Sequence, residues 1–208
     1  MSSQHIKFLQ QAATENKFWT TLHPWEEDLA SWIGAGRDGQ NVTKQDRHSY
    51  KAEQLMSDNV LANIHAATAE IGACQILGAY CYAGIWDVRD HSKFSGLPDG
   101  KWSEIELEIK WRRSSYSMPV DKKDAELNRM VLWVESKLAV RYNCTCNYCE
   151  GKVRNTATTV RILGGGFAGD LWLLGTPYNN DPKRMAVSAE SLTPILEIVN
   201  RWGTRTRT

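Results

Sequence analysis

Apolar residues spaced three and four apart run through the segment from about Ser49 to Leu77. Leu61, Ile64, Ala67, Ile71, Cys74 and Leu77 form one stripe, which predicts a long helix with Gly78 as its C-cap. Upstream, "HIKFLQQAATENKFW" and "HPWEEDLASWIGAGRDGQN" read as two shorter helices. Pro24 suits the start of the second, and Gly34, Gly36 and Gly39 suit its end. Four strand segments follow the long helix: "YCYAGIWDV", "SEIELEIKWRR", "RMVLWVESKLAV" and "ATTVRILG". "AVSAESLTPILEIVNRW" predicts a last helix whose register is left open by its Thr-Pro step. This order gives a mixed α/β arrangement around one sheet, with residues 48–208 as the main domain and 1–47 as an N-terminal helical extension.

The second strand segment has the sharpest pattern. Ile105, Leu107, Ile109 and Trp111 alternate onto one face, which belongs in the core. Glu104, Glu106, Glu108, Lys110 and Arg112 share the other. Three carboxylates two residues apart repel one another, so this face costs stability unless cations meet it. Taken alone, the strand is accounted for by a solvated, ion-paired face. An acid followed two residues later by lysine is also commonplace here, occurring at Glu15, Asp99, Glu108, Asp121, Glu135, Glu150 and Asp181. Glu108 differs in context: a Pro98-Asp99 turn lies ahead of it, and the long helix before that carries Glu70.

Composition narrows the classes. With 208 residues, 42% hydrophobic and 24% charged, the chain is globular rather than fibrous or disordered. A formal net charge of +1 gives no global attraction to nucleic acid or membrane, so any binding surface must come from local clustering. No secretory signal or membrane-spanning run is read from the sequence, and five cysteines make no tidy disulfide framework. The expectation is a reduced, cytoplasmic protein without a membrane partner.

Pro98-Asp99 followed by Glu108-Ile109-Lys110 resembles the signature of the PD-(D/E)XK nuclease superfamily. The order "AEIGACQILG … LPD … IELEIKWRR … MVLWV … TVRILGG" is similar to small phage-encoded members, over roughly residues 48 to 175. The resemblance implies a restriction-endonuclease-like core, a mixed central sheet flanked by helices, and metal-dependent cleavage of DNA. It implies that Asp99, Glu108 and the Ile109 carbonyl hold Mg²⁺ or Mn²⁺, with Glu70 approaching from the helix. Lys110 would orient or deprotonate the attacking water. Hydrolysis of a phosphodiester needs such an ion to activate water and relieve negative charge, and magnesium prefers hard oxygen ligands. Small residues around Glu70 (Ala66, Ala67, Ala69, Ala73, Cys74) would let the helix lie close on the sheet. Arg112, Arg113 and Lys101 are the expected phosphate contacts. Members often act as dimers, which makes a homodimer a further implication. A nuclease-like fold that only binds DNA or a protein partner is the alternative.

Other features carry less. Asp87 is an alternative to Asp99, and His91 is the histidine nearest the expected site. Glu135 and Lys137 repeat the acid-x-lysine spacing, with Asp121 and Asp124 upstream, but no Pro-Asp turn or long helix leads into them. Cys144, Cys146 and Cys149 lack a fourth nearby ligand for zinc and read as a thiol-rich turn. "GGGFAG" matches a dinucleotide fingerprint literally, but too little chain follows for the required βαβ unit, so its glycines are expected to form a turn.

Overall fold

The computed structural model describes residues 18–43, 56–82, 96–112, 117–139, 157–179 and 181–202. In chain order the elements are β1 (Trp19–Thr21), α1 (Pro24–Thr43), α2 (Met56–Leu77), β2 (Tyr80–Cys81), β3 (Gly100–Trp102), β4 (Ile105–Trp111) and β5 (Ser117–Asp121). They continue with α3 (Lys122–Glu126), β6 (Met130–Lys137), β7 (Thr159–Phe167), α4 (Ala168–Leu174), β8 (Thr176–Tyr178), β9 (Asp181–Ser188), a 3₁₀ turn (Ala189–Ser191) and α5 (Ile195–Trp202).

Six strands form the main sheet in the order β1-β7-β6-β4-β3-β2, and β5-β9-β8 form a second, three-stranded sheet. β4 and β6 run parallel, from Leu107 opposite Met130 to Trp111 opposite Val134, while the other neighbours are antiparallel. A parallel pair needs a crossover connection. Here the connection contains β5 and α3, and it brings Asp121 and Asp124 towards the charged face of β4.

The two faces of the main sheet have separate cores. Leu107, Ile109, Leu132, Val134, Val160 and Ile162 pack under α2 together with Ile33, Ile76, Leu77 and Ile198. Val131 and Trp133 face the other way, against Met118, Val120, Leu171 and Val187. α2 is apolar nearly all round because it is buried on two sides, by α1 and by the sheet. Its stretch Val60–Leu77, contrary to the expectation from the sequence, is long and apolar enough by composition to cross a membrane. In this fold most of that stretch lies inside the protein.

Several expectations change. Trp19 is in an edge strand paired with Arg161 on β7, not in a helix, and α1 shares the main core through Ala30 and Ile33. α1 continues through Gly34, Gly36 and Gly39. A Cβ at Gly34 would lie 2.6 Å from the Ile64 nitrogen, so this glycine marks the close crossing of α1 over α2 rather than a helix end. β7 also continues through Gly164, Gly165 and Gly166, and α4 follows at once. Gly165 exchanges two backbone hydrogen bonds with Thr193, which keeps the segment extended instead of turning. The last helix begins only at Ile195, because residues 181–188 pair with β5 and β8 as a strand. Of the segment 80–88, Tyr80 and Cys81 form a strand and residues 83–88 lie outside the described residues. Gly78, at φ 63°, caps α2 as expected.

Candidate functional site

β4 presents the expected charged face, and cations do meet its carboxylates. Lys101 Nζ lies 3.1 Å from Glu104 Oε2. Arg129 Nε donates to Glu106 Oε2 at 3.0 Å, and Lys110 Nζ donates to Glu108 Oε1 at 2.7 Å. Lys110 Nζ also donates to Asp121 Oδ2 at 3.0 Å and lies 3.8 Å from Asp124 Oδ2. Arg129 is almost fully buried, donates to Asp124 Oδ1 at 3.1 Å and to the Gly96 carbonyl, and comes within 3.8 Å of Glu108 Oε2.

Asp99 is not the tip of a turn. The reversal between β3 and β4 is made at Ser103 and Glu104, with Ser103 at φ 54°. Asp99 immediately precedes β3, and its amide donates to the Leu107 carbonyl of β4 at 2.8 Å. Its Oδ2 accepts from the Ile109 amide at 2.6 Å, while its backbone carbonyl accepts from Tyr82. Glu70 comes in from α2, buried, and receives a two-pronged hydrogen bond from Arg37 at 2.7 Å on each arm.

Asp99 lies within electrostatic reach of Glu70, Glu108 and Lys110, whereas among the described residues the carboxylates whose oxygens come within 4.8 Å of one another are those of Glu108, Asp121 and Asp124. Burial pushes the Asp99 carboxyl well above the usual carboxylate range, reinforced by the charges of Glu108 and Glu70. The Ile109 amide and Lys110 offset only part of that rise. Burial and Glu108 also raise Asp124. Burial acts the same way on Asp121, but there Lys110 and Arg184 win and hold it below its ordinary value. For Lys110, three neighbouring carboxylates outweigh burial and push its affinity for a proton upwards.

Glu108, Asp121 and Asp124 each bring a carboxylate oxygen within 4.8 Å of the others, a buried acidic triad that could hold a metal ion. Asp124 Oδ2 is buried and accepts no hydrogen bond. The sequence pattern associates Asp121 and Asp124 with the wrong strand, since their partner is Lys110 and not Lys137. Arg37 and Arg129 carry no signal in the sequence that marks them as members.

Two of the expected phosphate contacts, Arg112 and Lys101, have acidic neighbours within the protein. Arg112 lies 3.8 Å from Glu135 and stacks over Trp133 at 5.5 Å, so it links β4 to β6. Lys101 is held by Glu104 at the β3–β4 turn. Lys137 is exposed. Arg113, Asp87, His91, Cys144, Cys146 and Cys149 lie outside the described residues. No protein-family model, curated protein or solved structure matches this chain.

Proposed function

We propose that this cluster is the active site of a metal-dependent nuclease that hydrolyses DNA phosphodiester bonds, on a restriction-endonuclease-like core. One observation carries the reading. Asp99, just before β3, lies within electrostatic reach of Glu108 on β4, and among the described residues Asp99 takes part in no ion pair. The Glu108 charge adds to burial in raising the proton affinity of Asp99, and a divalent cation is the partner that relieves it.

The donors fit a hard ion. Asp99, Glu108 and the Ile109 carbonyl, with Glu70 from α2, offer only oxygen, as Mg²⁺ and Mn²⁺ prefer. Asp121 and Asp124 are further oxygen donors on the other side of Glu108, and the orphaned Asp124 Oδ2 is a buried acceptor with capacity to spare. A bound ion would supply Lewis acidity and make a water more nucleophilic. Lys110 projects on the same face as Glu108 and contributes an ammonium donor for an anionic phosphate oxygen. Arg37 fixes the Glu70 carboxylate in one orientation. The β2-β3-β4 meander followed by a parallel β6 also supports the nuclease-like core.

A second reading has its own support. Lys110 and Arg37 already neutralise Glu108 and Glu70 from within the protein, which suits a nuclease-like fold that binds DNA or a protein partner without cutting. Incubation of supercoiled plasmid with the purified chain in Mn²⁺, in Mg²⁺ and in excess chelator separates the two. Ion-dependent nicking that disappears in Glu108→Ala is the result expected of the nuclease. Salt-sensitive DNA retention without nicking under any ion would replace it by the inert binder.

A further inference from the structure

Two thiols converge where α2 hands over to β2. Cys74 is buried in the last turn of the helix and Cys81 is half-buried in the strand. The Ala79 amide donates to the Cys74 carbonyl at 2.8 Å, so the chain turns back on the helix end at once.

Their placement follows from β3. Cys81 pairs directly with Gly100 in an antiparallel ladder. Residues opposed in this way project to one face, with Cβ positions about 4.5–5.5 Å apart. A Cβ built on Gly100 would lie 2.7 Å from Cys74 Sγ. The Cys74 sulfur thus fills the space that a side chain at position 100 would take, on the face to which Cys81 points. The Cys74 thiol donates to the carbonyl of Tyr80, the residue next to Cys81, at 3.9 Å.

A shared metal is the weaker use of this pair. Zinc takes about four ligands. Among the described residues, the one group of three or more His, Cys, Asp or Glu donors within 4.8 Å of one another is Glu108, Asp121 and Asp124, which contains neither sulfur.

We infer that Cys74 and Cys81 are an oxidation site, a dithiol that a peroxide converts reversibly into an intramolecular disulfide across the end of α2. Cys81 is the sulfur that meets the oxidant, being the more exposed, with the Arg37 guanidinium in electrostatic reach. The neighbouring Cys81, together with burial, pushes the Cys74 thiol upwards, so Cys74 is not the first nucleophile. The Cys81 thiolate attacks one peroxide oxygen and the O–O bond breaks. Cys81 becomes a sulfenic acid, and the departing oxygen takes a proton to leave as water. Cys74 Sγ then attacks the Cys81 sulfur. The S–S bond forms, the S–O bond breaks, and the hydroxyl leaves as water with the Cys74 proton. Two thiols lose two electrons and two protons, and hydrogen peroxide becomes two waters. A dithiol reductant reverses the change by exchange.

The test needs no enzymatic activity, so it is independent of the nuclease reading. Trypsin cuts after Lys51 and Arg89, and Cys74 and Cys81 are the cysteines of the peptide between them. The full chain is exposed briefly to hydrogen peroxide, denatured, alkylated with iodoacetamide and digested without reductant. The expected product is peptide 52–89 lighter by two hydrogen atoms and carrying no alkyl group, with both alkylations restored by prior dithiothreitol. Peptide 142–152, with Cys144, Cys146 and Cys149, monitors delivery of the oxidant. Cys74→Ser should leave Cys81 as a sulfenic acid that dimedone captures, and Cys81→Ser should abolish the mass loss. Both thiols alkylated once peptide 142–152 is oxidised, or either thiol cross-linked to that peptide, would overturn the assignment. The wild-type digest decides the matter even where a variant fails to fold.

Discussion

Arg37 and Glu70 are joined by two parallel hydrogen bonds of 2.7 Å, guanidinium to carboxylate, between α1 and α2. Their side chains are only 15% and 5% exposed, so the pair is largely withdrawn from water. Removing one partner leaves the other charge buried and uncompensated. Arg37→Ala is therefore expected to cost about 3 kcal/mol, read as a lower urea midpoint at unchanged slope. Arg37→Met combined with Glu70→Leu should recover much of that loss, because no lone charge remains.

Asp99 should give a distinct pH signature in chelator. Its proton affinity is higher folded than unfolded, so its contribution to stability is fully present below the unfolded pKa of about 3.9. That contribution is lost as pH rises through the elevated folded value. Asp99→Asn keeps an oxygen acceptor for the Ile109 amide and cannot ionise. Melting curves should show it matching wild type near pH 4 and exceeding it increasingly towards neutrality. Saturating Mg²⁺ should narrow the gap by stabilising wild type. Asp121 acts in the opposite sense, since Lys110 and Arg184 lower it, and its share of stability is lost as pH falls through its folded value.

Cleavage should depend on β4 and not on the end of β6. Glu108→Ala and Lys110→Ala are each expected to lower ion-dependent nicking by about 100-fold or more, the scale of a lost catalytic group. Glu135→Ala and Lys137→Ala should retain wild-type rates, since Glu135 faces Arg112 and Lys137 faces solvent. Circular dichroism of all four checks that folding is preserved. The reverse ranking would move the site to β6.

Manganese titration followed by electron paramagnetic resonance should identify the ion's ligands. Glu108→Gln belongs to both donor sets and should weaken binding most. If Asp99 is the second ligand, Asp99→Asn should weaken it more than Asp121→Asn or Asp124→Asn does, since loss of a supporting group alone costs about 10–100-fold. The opposite order would place the ion in the triad beside Lys110.

Gly72→Ala should destabilise the protein although alanine is the better helix former. An exposed helical glycine changed to alanine gains about 1 kcal/mol. Here the new Cβ would meet the Val160 side chain at 2.5 Å, where α2 lies against β7. Overpacking of about 1–3 kcal/mol outweighs the propensity gain, and urea unfolding should show a net loss.

The sequence was most legible where one residue pattern had one physical cause. The alternation in β4 separates Leu107 and Ile109 from Glu108 and Lys110, and the stripe of α2 with its Gly78 cap marks the core helix. Gly34 and the glycines of β7 were misread because a glycine at a close crossing looks in sequence like a glycine at a turn. Residues 186–188 read as helix although they end β9, because its strand pairing comes from β5, more than sixty residues upstream, and leaves no local signal. Site members divide in the same way. Glu70, Asp99, Glu108 and Lys110 lie on periodic or punctuated segments, whereas Arg37, Asp121, Asp124 and Arg129 join only through the crossover and the packing of α1.

The pairing of β1 with β7 has a further consequence, for the time course of folding. Trp19 finds its partner at Arg161, so the chain must be made through the start of β7 before the first strand can dock. The parallel β4–β6 pair likewise waits for the β5–α3 crossover between them. Contacts this distant in sequence require loop closure before they yield any stabilisation, which slows the search. During synthesis β7 therefore completes the main sheet, and until it does the outer side of β6 stays open to pairing with other chains.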